Sequence, residues 1–119
     1  MSRRSDWPDT LTPAAFQILM ALADEDRHGL GIMDEVEDRT RGEVQLGPGT
    51  LYGTIKRLRQ VGYIGEAPEP PDPADDDPRR RYYTITPAGR EALAREARRM
   101  EIMVHVARSK AVLDEVEGK

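Results

Sequence analysis

The 119-residue chain has no cysteine. That excludes disulfides, thiolate nucleophiles and thiolate metal sites, and it is compatible with a reducing cytosol. Histidine is nearly as scarce. His28 and His105 lie far apart, and neither shares an obvious helical face with a second ligand, so no transition-metal site is expected. No apolar run approaches the roughly 18 residues of a membrane span, and no secretory signal is recognisable. Together these predict a cytoplasmic protein without a membrane partner. No glycine-rich phosphate loop follows a strand, and no nucleophile motif occurs. The carboxylates fall on polar helix faces or in one acidic loop, not as a catalytic pair. The chain therefore reads as a non-enzyme with neither cofactor nor metal.

Length and composition bound what remains. With 38% apolar residues, the chain can support one modest domain. Its formal charge of −4 has the wrong sign for a nucleic-acid ligand. The acidity is concentrated, however. The stretch from Glu66 to Pro78, EAPEPPDPADDDP, holds six carboxylates, five prolines and no base. Such a stretch buries no core and is expected to be extended and mobile. The rest of the chain carries 18 basic residues against 16 acidic ones.

The most informative segment is LGPGTLYGTIKRLRQVGYI, from Leu46 to Ile64. Gly47 is an acceptable N-cap, and Pro48 sits at the first helical position, where a missing N–H costs nothing. Leu51, Ile55 and Leu58 recur at i, i+4 and i+7, which predicts one buried face. The other faces carry Pro48, Gly49, Thr50, Tyr52, Gly53, Thr54, Lys56, Arg57 and Arg59. Between Gly47 and Gly62 there are three bases and no acid. Gly49 and Gly53 each cost a helix about 1 kcal/mol relative to Ala, which makes sense where another backbone must come close. Free N–H groups at this end favour a phosphate. Thr50, Tyr52 and Thr54 suit phosphates or base edges, and Lys56 and Arg57 supply charge. An ordinary solvated helix face would look similar in isolation, so the setting of the segment matters.

Thr12-Pro13 is a cap-plus-proline helix start, and the strongly apolar stretch from Ala14 to Ala23 predicts a first helix buried nearly all round. Asp24 to Gly29 reads as a polar turn. A second helix follows from Leu30 to Thr40, with Leu30, Met33 and Val36 on its apolar face and Gly42 as its stop. Glu43 to Leu46 reads as a connector or a scrap of strand. After the third helix, Gly62 to Gly65 starts a strand, and Arg81 to Ile85 is a second one, with Arg81, Tyr83 and Ile85 on one face. Thr86-Pro87 opens a last helix expected to reach about Leu113. The fold class is thus mainly α: a winged helix-turn-helix of three helices plus a two-stranded β wing, with a long C-terminal dimerisation helix. The divisions are residues 1–10 as a flexible arm, 11–85 as the winged domain (with 66–80 as its acidic, proline-rich wing loop) and 86–119 as the dimerisation helix.

In that last helix Leu93, Ala97, Met100, Val104, Ala107 and Ala111 follow heptad spacing, with Met103 beside them. Between Ile102 and Ala107 only His105 is not apolar, so the helix must be covered on more than one side. One side suits a partner's helix and the other the chain's own first helix. Dimerisation would hide the stripe and supply two-fold symmetry.

The order of motifs resembles the PadR family of bacterial transcriptional regulators. His28-Gly29 precedes the second helix. GPGTLYGTIKRLRQVGYI forms the third helix and the turn after it. RRRYYTITPAGREAL spans the second wing strand and the next helix start. The resemblance runs from about Leu11 to Leu113 and is nearest the small subgroup with a single C-terminal helix. Leu30 stands where the family often has an aromatic. The resemblance implies a homodimeric repressor that binds a pseudo-palindromic operator in double-stranded DNA, and repression relieved by a small aromatic or hydrophobic effector. Position by position, Pro48, Thr50, Tyr52, Lys56 and Arg57 match the DNA-facing part of the family's third helix, and Arg79, Arg80 and Arg81 match its basic wing. Trp7, Met100 and Val104 are the candidate effector contacts; Trp7 as a packing residue on the first or last helix is the plainer reading.

Two readings of the acidic loop stay open: a solubilising insertion clear of DNA, or autoinhibition, with Asp75, Asp76 and Asp77 screening the neighbouring arginines. A winged helix used only as a protein–protein module is the alternative function. The acid-free surface of the third helix argues against it.

Overall fold

The first helix, α1 (Pro13–Leu22), has almost no polar side to offer to water, so the rest of the fold encloses it. Thr12 caps it, its hydroxyl accepting the Ala15 N–H at 3.1 Å, and Pro13 fills the first turn. Ala15, Ile18, Leu19, Ala21 and Leu22 are buried. The protein's computed structural model describes residues 11–68, 70 and 80–114. Within them, α2 (Gly29–Arg39), α3 (Pro48–Gln60), the strand β3 (Tyr82–Ile85) and α4 (Pro87–Ser109) all pack on α1.

The turn after α1 departs from expectation. Arg27–His28 forms a short strand, β1, rather than part of a polar turn, and pairs with β3. Arg27 explains the placement. Its Nε donates to the Ala21 carbonyl at 2.7 Å, and its guanidinium pairs with Asp24 at 3.3 Å and with Glu35 of α2 at 3.6 Å. His28 then caps α2, its Nδ1 accepting the Gly31 N–H at 3.2 Å. The buried face of α2 is Ile32 and Val36, with Met33 beside it; Leu30, expected in that face, is exposed. The helix ends in a double left-handed turn. Arg41 and Gly42 have φ of 55° and 81°, and the Gly42 N–H closes on the Glu37 carbonyl at 2.8 Å. Residues 43–46 form no strand. The connector is held by Thr40 instead, whose hydroxyl accepts the Val44 N–H at 3.0 Å.

In α3, Leu51, Ile55 and Leu58 are buried as their spacing predicts. Gly62, with φ of 83°, stops the helix, and the Tyr63 N–H returns to the Leu58 carbonyl at 2.9 Å. Chain reversal leads into β2 (Ile64–Glu66), antiparallel to β3 with Ile64 opposite Ile85, Gly65 opposite Thr84 and Glu66 opposite Tyr83. The sheet therefore has three strands in the order β1-β3-β2, not the two expected. Because β3 is central, both of its edges are paired, and its side chains are buried on both faces. Tyr83 and Ile85 face the core, while Tyr82, on the opposite side, meets the His28 ring edge-on at 5.2 Å.

Thr86 fastens the wing to the next helix. Its hydroxyl caps α4 by accepting the Gly89 N–H at 3.1 Å and donates to the Gly62 carbonyl at 2.6 Å. Gly89, Ala92, Leu93 and Glu96 are the buried residues of α4. Glu96 is a buried carboxylate paired with Arg99 at 3.3 Å. The second half of the helix does not lie on α1 as expected: from Ala97 to His105 every residue is exposed. The helix ends at Ser109, short of Leu113, and Ala111 sits beyond it in a left-handed turn with φ of 63°.

Gly89 touches the backbone of Tyr63 so closely that a Cβ would collide with the Tyr63 carbonyl, whereas a Cβ on Gly53 of α3 meets nothing within 4 Å. Gly89→Ala is expected to destabilise by about 1–3 kcal/mol through overpacking. Gly53→Ala is expected to stabilise by about 0.5–1 kcal/mol through helix propensity. Urea midpoints moving in opposite directions would bear this out; equal shifts would not.

Candidate nucleic-acid interface

Burial of Leu51, Ile55 and Leu58 turns the rest of α3 outward. Pro48, Gly49, Thr50, Tyr52, Lys56, Arg57 and Arg59 are exposed, and Thr54 is half-buried. The helix begins at Gly47 without a side-chain cap, so its first N–H groups are claimed by no such cap. Its basic residues lie in the last turns, where they also complement the helix dipole.

Folding adds neighbours that linear spacing does not reveal. The Tyr52 hydroxyl lies against Gly29, in the space a Cβ there would take, so α3 closes directly on the start of α2. A cleft of about 300 Å³ opens on one side of Tyr52, bordered by His28, Leu30, Arg80 and Arg81. On its other side lies a second, of about 450 Å³, bordered by Lys56, Arg59, Gln60 and Tyr83. Wing, α3 and the start of α2 thus border two clefts that share Tyr52 and Tyr83. Arg80 and Arg81 border the first of these as the wing arginines; Arg79 lies outside the described residues, as do Trp7 and Asp75 to Asp77.

Two residues here gain importance only from the structure. Glu66 reads in the sequence as the first acid of a mobile loop, but it ends β2 and sits 3.6 Å from Arg81 and 3.9 Å from Arg59. Tyr83 lies amid the same charges. Burial pushes its phenol above the usual tyrosine range, the nearby Tyr52 and Glu66 push the same way, and Arg59 and Arg81 pull against them.

The heptad residues divide into two sets. Leu93 is occupied by the chain's own core. Met100, Met103 and Val104 are exposed, at 42%, 56% and 41%, together with Ile102. Ala97 is exposed, Ala107 half-buried and Ala111 past the helix end. Among the described residues no group of His, Cys, Asp or Glu could hold a metal ion, and no helix is long and apolar enough to cross a membrane.

Residues 18–95 match the transcriptional regulator PadR-like family. The chain belongs to that family, whose members are transcriptional regulators and not enzymes. It is 36% identical to the transcriptional regulator Rv3488 of Mycobacterium tuberculosis, over 71% of this chain and 72% of that protein. It is 40% identical, over 87% of its length, to an uncharacterized 37.1 kDa protein in transposon TN4556 of Streptomyces fradiae, of which it spans only 27%. A transcriptional regulator from Clostridium thermocellum superposes with a TM-score of 0.68 at 26% identity, covering 81% of this chain and 87% of that one. Bacillus subtilis PadR, solved in complex with operator DNA, shares the fold at a TM-score of 0.56 and 19% identity, covering 67% and 44%. The resemblance read from the motifs is thereby confirmed, as is the mainly α winged-helix fold.

Because the folded-state phenol of Tyr83 ionises later than an unfolded tyrosine, its contribution to stability is complete below about pH 10 and lost as pH rises through the folded value. Tyr83→Phe should remove a late-rising component of the tyrosinate absorbance and flatten the alkaline loss of stability. An unchanged alkaline titration would contradict this assignment.

Proposed function

We propose that the chain is a homodimeric, sequence-specific DNA-binding repressor that places α3 of each protomer in a major groove of a pseudo-palindromic operator. The observation that carries this reading is the outward side of α3. It holds Lys56, Arg57 and Arg59 without one carboxylate and is fixed in place by a fully buried opposite stripe. Family membership and the operator complex of the Bacillus subtilis relative support it.

Thr50, Tyr52 and Thr54 would hydrogen-bond phosphates or base edges, Lys56 and Arg57 would make the charged contacts, and Pro48 and Gly49 would allow close approach at the uncapped helix start. Arg79, Arg80 and Arg81 would reach the flanking backbone from the wing. Half-sites would lie about one helical turn, or a multiple of it, apart. The setting is cytoplasmic. A small aromatic or hydrophobic effector would contact Met100 and Val104, and Trp7 would stack on it only if it is not packed against the first or last helix.

Dimerisation would proceed through the outer half of α4. Met100, Met103 and Val104 continue the Leu93 stripe past the point where the domain ends, leaving apolar surface that a second copy would cover. Use of the domain as a protein–protein module would require a binding face with apolar anchors on α3, and that face has only Tyr52 among its large exposed hydrophobics.

Lys56→Ala with Arg57→Ala should weaken binding to the chain's own promoter fragment at least tenfold at low salt. It should also flatten the slope of log K against log salt by about two contacts' worth, at about 0.9 each. A gel shift at several salt concentrations measures both, and retained affinity would favour the protein-module reading. Met100→Asp with Val104→Asp should yield a folded monomer in sedimentation, since neither side chain belongs to the chain's core. Persistence of the dimer would move the interface elsewhere.

A further inference from the structure

We propose that Glu66 is a built-in competitor for DNA phosphate: it engages Arg59 of α3 and Arg81 of the wing together, and DNA must displace or neutralise it to bind. This inference rests on the DNA-binding reading above and deepens it.

The geometry is that of one carboxylate shared by two guanidinium groups, 3.6 Å from Arg81 and 3.9 Å from Arg59. All three side chains are partly exposed, from 42% for Glu66 to 66% for Arg81. Contacts of that length and exposure are weak and exchange readily with solvent ions. They can therefore be opened by a phosphate, which offers the same forked acceptor to an arginine. The Glu66 backbone cannot move away, so its side chain stays within reach of both arginines. That backbone is held in register opposite Tyr83, and the next residue, Ala67, is buried and donates its N–H to the Tyr82 carbonyl at 2.7 Å.

The charge count gives the consequence. Two arginines and one glutamate present +1, where the arginines alone would present +2. On a duplex, Glu66 either keeps an arginine from a phosphate or, once released, takes up a cation from solution. In both cases one fewer counterion is released on net. Glu66 thereby lowers the sequence-independent part of the affinity, the part that would otherwise hold a regulator on the bulk of the genome.

The test uses the full chain, Glu66→Gln, and a random-sequence duplex of about 30 base pairs, titrated by fluorescence anisotropy between 50 and 200 mM salt. The near-isosteric change at a half-exposed strand end is not expected to alter the fold, and circular dichroism checks that. Glu66→Gln should bind about tenfold more tightly at 50 mM salt, with a slope steeper by about 0.9, so that the advantage shrinks roughly threefold by 200 mM. As a second measurement, Arg81→Gln should cost more affinity in the Glu66→Gln background than in the wild type, because only there is Arg81 wholly available. Wild-type binding with Glu66→Gln unchanged would overturn the proposal alone. Weaker binding by Glu66→Gln would do the same, since Glu66 would then be orienting the arginines for DNA. Wild-type protein with no salt-sensitive binding to any duplex would remove the DNA reading and this proposal together.

Discussion

Everything in this structure hangs on the enclosure of α1. A ten-residue helix without a polar face cannot rest at the surface, and the three other helices and the central strand gather around it. For α3 the consequence is rotational. Once Leu51, Ile55 and Leu58 are buried, the remaining side chains have no freedom to turn inward, and the basic, acid-free side faces solvent. Presentation of the basic side of α3 is thus a by-product of core packing rather than a separate design.

Smaller devices set the wing relative to α3. Gly62 reverses the chain within one residue, Thr86 ties the Gly62 carbonyl to the start of α4, and Gly89 lets that helix touch the Tyr63 backbone. Through this joint Arg81 of the wing comes near enough to Arg59 of α3 for one carboxylate to meet both. A net charge of −4 therefore says little about the surface that matters. What counts is which few charges the fold gathers on one side.

The long helix changes character along its length. Its first turns belong to the domain, where small Gly89 and Ala92 allow close packing and Leu93 joins the core. Beyond Glu96 the apolar spacing goes on while the domain does not. One continuous stripe thus serves an intramolecular contact at one end and leaves exposed apolar surface at the other.

Local chemistry was enough to read four helices, the proline starts of three of them, the glycine stop after α3, its buried stripe and the family to which the motifs belong. These features depend on neighbours within a few residues, through capping, periodicity and backbone restriction. Leu93 shows the limit of periodicity: spacing marks it as apolar but does not say whose core it enters. The short strand at Arg27–His28, the exposure of Leu30 and the meeting of Glu66 with Arg59 and Arg81 were decided only by tertiary structure. Each depends on partners far away in the chain, and a two-residue strand or a single carboxylate carries no periodic signal of its own. Sequence alone determined which surfaces would be apolar or basic; folding around α1 decided which of them met one another and which were left to face outward.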